Sequence, residues 1–400
     1  MDYNVLNSIQ NKERIAIVCI GYNRLDSIIR LVSSIEKASF PSNDIPIVFC
    51  IDASRDILLY DYVRNYQWKH GEKYAFIQEE RLGLKDHILK CGRLTKYFKA
   101  IIILEDDSYV APNFYNYTVA AVDKYGHDEL ISGISLYISH NYEYVNIPFF
   151  PLNNGADVFL LQDVQTRGEC FTDFMWDRFE RWMISNKDRD YADVSMPESI
   201  KKWSRAWSRF YYAYMVESWT FFVYPYVSFV TNMGAIGEHA DIETNLAQVS
   251  LELGFKEYKM LDTNVLVKYD SFGNNCDFYK WAGVPEEDLC LDIYGNNPNI
   301  KKKRYIVSCR RLPYKVIKSW GLRMYPIEMN AIAQIQGSGL MVFDTSEKGK
   351  GNSSFSYDAL SYVYCKHNPK LMVMYCAKWI LVMVRHKIKK TWKILFRKKK

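Results

Sequence analysis

The chain lacks what a secreted, disulfide-stapled or membrane-spanning protein would need. Its nine cysteines (Cys19, Cys50, Cys91, Cys170, Cys276, Cys290, Cys309, Cys365 and Cys376) are odd in number and never form a C-x-x-C pair. Several sit inside apolar, strand-like runs. This argues against a disulfide framework and a zinc site, and for buried thiols in a reducing compartment. Residues 1–14 are polar and hold no apolar h-region, so no signal peptide and a cytoplasmic chain are expected. Residues 371–384 are apolar apart from Lys378, but such a run is too short to cross a ~30 Å hydrocarbon core at ~1.5 Å per helical residue. Acids are missing from residues 366–400, which carry 12 Lys/Arg; upstream, 40 basic residues face 46 acidic ones. The formal charge of +6 therefore belongs to the tail. A nucleic-acid-binding body is excluded, and a local anionic partner for the tail is indicated.

What is present is length and aromatic content. The 400 residues hold one large α/β domain plus a smaller unit. Aromatics make up 16%, with 31 Tyr and 10 Trp, which suits a strongly packed core or a site that stacks sugar rings or bases.

The organising stretch is Ile101-Ile102-Ile103-Leu104-Glu105-Asp106-Asp107-Ser108. Four apolar residues bounded by charge predict a strand buried on both faces of a mainly parallel sheet. Three adjacent acids at its end repel one another and lose hydration unless a cation or a hydrogen-bonding ligand compensates them. Hard oxygen ligands suit Mg²⁺ or Mn²⁺, which can bridge to phosphates; a solvated acidic loop is the alternative.

Around it, strands and helices alternate. Residues 14–20 read as a strand, and residues 25–38 as a helix with Ile28, Leu31, Val32 and Ile35 on one face. Between them, Gly21-Tyr22-Asn23-Arg24 offers free N–H groups and a cation, a phosphate contact or simply a turn. A second strand over residues 46–51 runs straight into Asp52, with Ser54 as N-cap of a helix reaching residue 66. Asp52 can face a base or ribose across the sheet edge, or cap that helix. Residues 74–78 give a third strand. Arg81-Leu82-Gly83-Leu84-Lys85 leads into a helix of about 13 residues by periodicity. Pro112 suits the first turn of another helix, and residues 129–136 read as a further strand. The alternation predicts an open α/β sheet with helices on both faces.

These elements, and above all Ile103-Leu104-Glu105-Asp106-Asp107-Ser108-Tyr109-Val110-Ala111-Pro112-Asn113-Phe114, resemble GT-A (Rossmann-like) nucleotide-sugar glycosyltransferases. The nearest resemblance is to the family that includes N-acetylglucosaminyltransferase I and to bacterial surface-polysaccharide (family 2-like) transferases. It covers roughly residues 14–240, and more loosely extends to about 345. The resemblance implies Asp107 as metal ligand, Asp106 and Glu105 against the donor's ribose and sugar, Asp52 against uracil and Arg24 against the diphosphate, with Lys85 on the nucleotide side. It further implies Mn²⁺ or Mg²⁺ and a UDP-linked donor. His239, in the glycine-bearing loop after a β-rich run over residues 221–230, is implied against metal or diphosphate; a structural histidine is the alternative.

Residues 166–176 resemble the loop and helix where relatives place acceptor contacts. Inverting transfer needs a carboxylate to take the acceptor's proton, and relatives carry an Asp beside a Trp later in the chain. Residues 202–209 here hold no acid. Glu169 is the substitute candidate, with Glu217 and Glu238 open.

The expected organisation is a lead over residues 1–13 and the catalytic domain over 14–240. An α+β extension over 241–346, a linker over 347–356 and an apolar, basic tail over 357–400 follow. Within the extension, residues 305–319 read as a strand and then a basic helix with Arg310, Arg311, Lys315 and Lys318. The tail reads as an amphipathic helix on an anionic membrane surface, with cations worth about 1 kcal/mol each there, or as a terminal helix docked on the body. The reading is an inverting, metal-dependent hexosyl- or N-acetylhexosaminyltransferase at the cytoplasmic face of the inner membrane. Its acceptor would be a saccharide or lipid-linked saccharide of bacterial surface polysaccharide. A sugar-phosphate nucleotidyltransferase is the rival, disfavoured because residues 21–24 lack a glycine-rich phosphate loop. A catalytically silent membrane adaptor is the second.

Overall fold

A computed structural model describes residues 6–7, 9, 12–144, 147–203, 206–234, 245–298, 300, 303–364 and 369–397. Its centre is a nine-stranded, mainly parallel sheet. Four strands form the parallel half: β1 (Ile15–Gly21), β2 (Ile47–Ile51), β3 (Lys73–Ile77) and β4 (Ala100–Glu105), in the order β3-β2-β1-β4. Glu169–Thr172 follows, antiparallel to β4, and then Ile131–Ser135, Phe221–Pro225, Val158–Leu161 and Lys268–Tyr269. The open α/β sheet expected from the sequence is present.

Alternation along each strand explains why these runs are apolar throughout. Ala16, Val18 and Ile20 of β1 and Ile101 and Ile103 of β4 belong to the core on one face. Ile15, Ile17, Cys19, Ala100, Ile102 and Leu104 belong to the core on the other. A strand whose successive side chains point to opposite faces, both covered, must be apolar at every position. Ile28, Leu31, Val32 and Ile35 of helix Leu25–Glu36 cover the second face, as the i, i+3, i+4, i+7 spacing predicts. Helices Leu84–Gly92, Asp173–Asn186 and Trp207–Ser218 cover the first. There Gly92 lies flat against the Trp176 ring, 1.9 Å from where a Cβ would stand.

Several local expectations are corrected. Asp56, not Ser54, caps helix Ile57–Asn65, accepting from Leu59 N at 3.1 Å. Ser54 N instead donates to Tyr60 Oη, because Arg55 turns the chain at φ 67°. The helix after Gly83 stops at Gly92 and continues as a 3₁₀ turn, Arg93–Tyr97. Pro112 precedes helix Phe114–Tyr125 and is not within it. The expected basic helix near residue 315 is strand Tyr314–Trp320, which joins Leu289–Leu291, Tyr305–Ser308 and Leu340–Lys348 in a four-stranded sheet. Residues 347–356, read as a linker, contain the end of that last strand and the short strand Ser354–Phe355, paired with Arg310–Arg311.

The tail forms helices Tyr357–Tyr364 and Pro369–Arg397. Leu371, Val373, Met374, Tyr375 and the consecutive Ile380, Leu381, Val382, Met383 and Val384 are all exposed. At 100° per residue these lie around the whole circumference, so the apolar surface is not the single stripe of an amphipathic helix. No helix among the described residues is long and apolar enough to cross a membrane.

Candidate functional site

The acids are delivered by register. β4 lies beside β1 with Cys19 opposite Leu104 and Ile20 opposite Glu105, so the acids leave the sheet beside the turn that carries Arg24. Asp106 and Asp107 form the turn into strand Ser108–Val110. That strand is fixed by pairing with Val230–Asn232, and Met233 N donates to the Asp107 carbonyl at 2.8 Å.

Arg24, immediately before helix Leu25–Glu36, grips Asp106 with both arms of its guanidinium. Nε donates to Oδ2 at 3.0 Å and Nη2 bonds Oδ1, the bidentate geometry that makes arginine–carboxylate pairs strong. The same Nη2 stands 3.6 Å from Asp107 Oδ2. Asp107 Oδ1 is buried with no hydrogen-bond partner among the described residues.

Burial, followed by the charges of Asp107 and Asp106, pushes Glu105 up to about 8. Burial pushes Asp106 up to about 6 against the pull of Arg24. Burial acts against the Arg24 guanidinium, but the bond to Asp106 and the surrounding carboxylates raise its pKa. The cluster thus holds more negative charge than one arginine neutralises, which is the condition under which a divalent cation binds well. Among the described residues, no three His, Cys, Asp or Glu side chains converge as a ready-made cation site. Mg²⁺ and Mn²⁺ bound through one or two carboxylates, with a substrate's phosphates completing the shell, need no such cage. The unpartnered Asp107 oxygen fits that mode.

Asp52 does something different. Oδ1 accepts from Ala53 N and Leu82 N and Oδ2 from Gly83 N, each at 2.9 Å. The carboxylate clamps the loop after β3, where Gly83 takes φ +77°. It holds the 81–83 loop in shape, with two backbone N–H groups on Oδ1 and one on Oδ2. Within that edge the Arg81 guanidinium lies 4.6 Å over the Tyr22 ring. Lys85 Nζ is 3.7 Å from Asp86 and 5.7 Å over the Phe210 ring, so the structure does not bring it to the acids.

Glu169, the candidate general base, lies inside the sheet. It pairs in the sheet with Ile103 and Ser135, is 0% exposed, and neither carboxylate oxygen has a partner among the described residues. Burial, then the charge of Glu105, raises its pKa well above the usual carboxylate range. Enclosure on both faces of the sheet keeps this carboxyl from a bound acceptor hydroxyl and disfavours it as general base. Residues 169–172 are strand, where a loop leading into a helix was expected. Glu217 pairs with Arg189 at 2.7 Å and accepts from Trp182 Nε1. His239 and Glu238 lie outside the described residues.

A second buried carboxylate went unseen in the sequence. Asp163, 6% exposed, accepts from Tyr144 Oη at 2.8 Å. Burial pushes it up to about 7 while Tyr144 pulls it down. Arg167 pairs with Glu143 at 2.8 Å, and its charge lowers the pKa of both Asp163 and Glu105. The Tyr144 ring packs 5.6 Å from the partly exposed Trp203. Nothing in Leu161-Gln162-Asp163-Val164 distinguishes this Asp from a strand-end cap.

No family model and no curated protein matches the chain. Several solved structures are similar in fold to part of the chain. One is the mannosyltransferase PcManGT from Pyrobaculum calidifontis in complex with GDP-Man and Mn²⁺, at 12% identity over 43% of this chain and 47% of that one, TM-score 0.31. A second is S. aureus TarS 1–349 in complex with UDP-GlcNAc, at 14% identity over 57% and 60%, TM-score 0.38. A third is GalNAc-T7 with UDP, GalNAc and Mn²⁺, at 14% identity over 54% and 43%, TM-score 0.38. The chain spans between 43% and 60% of the length of these proteins.

Proposed function

We propose that the chain is a metal-dependent glycosyltransferase that moves a hexosyl or N-acetylhexosaminyl group from a UDP-linked donor to a saccharide acceptor, with inversion. The observation that carries the reading is the unpartnered Asp107 oxygen beside the Arg24–Asp106 pair at the carboxyl edge of the sheet, where open α/β sheets bind ligands. Asp107, with Asp106, would hold Mn²⁺ or Mg²⁺, and the cation would supply charge stabilisation of the departing diphosphate. Arg24 stands within reach to share that load. Asp52 keeps the 81–83 loop in place for the nucleotide. With Glu169 enclosed, Asp163 becomes the carboxylate assigned to the acceptor's proton.

The tail extends the reading. The exposed apolar helix Pro369–Arg397, in a sequence that carries nine Lys/Arg and no acid over residues 385–400, suits an anionic membrane surface. There a lipid-linked acceptor of bacterial surface polysaccharide would be met at the cytoplasmic face.

Calorimetric titration with UDP and GDP, each with Mn²⁺ and with EDTA, tests the donor site. Metal-dependent UDP binding is expected. No binding of either nucleotide by folded protein would sink the reading and favour a silent adaptor, which the enclosed Glu169 also suits.

A further inference from the structure

Four tyrosines gather around Asp163, and neither the donor acids nor the tail uses them. Tyr144 Oη donates to Asp163 Oδ1 at 2.8 Å, and Tyr224 Oη donates to the Asp163 carbonyl at 3.1 Å. Tyr142 and Tyr212 both donate to the Ser271 carbonyl. Their rings stand edge-on to the Tyr144 ring, with centroids 5.3 and 5.9 Å away. Trp203 packs on the same ring at 5.6 Å. Edge-on aromatic contacts have a preferred geometry, so three neighbours of this kind leave the Tyr144 hydroxyl one place to be. The phenols come from separate parts of the fold: Tyr212 from helix Trp207–Ser218, Tyr224 from strand Phe221–Pro225, and Tyr142 and Tyr144 from the segment after strand Ile131–Ser135.

The carboxylate is also reachable. A space of ≈ 10 Å³ is lined by Asp163, Tyr144, Asn141, Glu143 and Gln165, about enough for one water or one hydroxyl group, with polar partners on several sides.

We propose that Tyr144 is a positioning residue for Asp163: its hydroxyl fixes the rotation of the carboxylate and donates to it, so that an acceptor hydroxyl entering this space meets a base already aimed. The inference rests on the reading of Asp163 as the acceptor's base. Every charge near Asp163 bears on it. Burial raises its pKa and the Tyr144 bond lowers it, while Glu143 pushes up and Arg167 pulls down. Tyr142, Tyr144, Tyr212 and Tyr224 are all held well above the ordinary tyrosine range, burial first among the causes, so they act as neutral donors. A hydrogen bond to the charged form favours that form, and in a buried network it does so without competition from water.

The test is a set of urea melts on the full chain from pH 5 to 9, comparing wild type, Tyr144→Phe, Asp163→Asn and the double variant. Tyr144→Phe keeps the ring and its packing and removes only the donor. At pH 5 folded Asp163 holds its proton with or without that donor, so the variant should differ from wild type by a fixed factor. Above about 7 the wild-type carboxyl is ionised. If the variant's carboxyl titrates about one unit higher, its folding constant should fall a further tenfold or so relative to wild type by pH 9. In the Asp163→Asn background the same change should cost an equal factor at every pH. A gap that stays constant with pH in both backgrounds is what a merely packed ring would give, and it would overturn the proposal. If Tyr144→Phe fails to fold by circular dichroism, 3-fluorotyrosine at position 144, a stronger donor of nearly the same size, decides. It should move the gap in the opposite direction, and no movement would overturn the proposal. UDP titration of the same samples keeps the two readings apart. No UDP binding by the wild type would sink the glycosyltransferase reading and leave the melts to report the hydrogen bond, whereas loss of UDP binding in Tyr144→Phe alone would place Tyr144 on the donor and overturn its assignment to Asp163.

Discussion

The tips of β2 and β4 both end in aspartate, one strand apart across β1, yet the two carboxylates have opposite surroundings. Asp52 has backbone N–H groups on both oxygens. Asp107 has an oxygen with none, and Asp106 shares a single arginine with it. A carboxylate whose oxygens are filled by backbone amides is part of the scaffold, because removing it strands those amides. One that is enclosed, crowded by like charge and short of donors is unstable alone and stable with a ligand. Position at a strand end is therefore not sufficient to make an acid a ligand.

The sharpest way to break this comparison is at Asp107. Asp107→Ala is expected to remove Mn²⁺-dependent UDP binding and cut transfer by about a thousandfold, the several kcal/mol that a Lewis acid contributes, while circular dichroism stays unchanged. Retained metal dependence would show that the unpartnered oxygen is not a ligand. Next is Asp163→Asn, expected to lower kcat by roughly a hundredfold, against little change for Glu169→Gln. With its carboxyl pushed up to about 7, the wild-type rate should rise with pH through that region, because a base must be deprotonated, and the variant should lose this limb. Stability moves the other way. The folded state holds its proton to higher pH than the unfolded chain, so stability is full below about 4 and declines towards 7. Asp163→Asn should flatten that decline in urea melts taken across the range. The reverse result, a large kcat loss in Glu169→Gln, would reinstate Glu169.

A smaller effect is expected at Arg24. Arg24→Ala should weaken UDP binding by about tenfold to a hundredfold, the range for a hydrogen bond to a charged group, measured by the same calorimetry. Smaller still in function is Asp52→Ala. It should cost about 1–3 kcal/mol in denaturant melts by leaving backbone donors unpaired, and should lower UDP affinity only through the disordered 81–83 loop. Full stability with abolished UDP binding would make Asp52 a ligand like Asp107, and the contrast between the two tips would fail.

Much of the first half was legible because its physics is local. The apolar runs at residues 15–21 and 100–104 admit little besides strands covered on both faces, and Ile28, Leu31, Val32 and Ile35 fix the face of their helix. The later half was less legible because basic residues with intervening apolar ones, as at residues 314–320, suit an exposed strand as well as a helix. Ser54 lost its cap to Asp56 for a reason no spacing shows, the positive φ of Arg55.

By itself the sequence determined the sheet's core strands, the placing of three acids and an arginine at neighbouring strand ends, and a tail rich in cations and poor in acids. Short-range patterns and charge counts carry that much, since they depend on residues close together in the chain. Only the tertiary structure decided which carboxylates have lone pairs to offer. Whether Glu169 faces a ligand or a sheet interior, whether Asp52 is met by Leu82 and Gly83, and whether Asp163 meets Tyr144 all depend on residues 19 to 66 positions away. Desolvation and hydrogen bonding, which set what an acid can do, are properties of those distant neighbours.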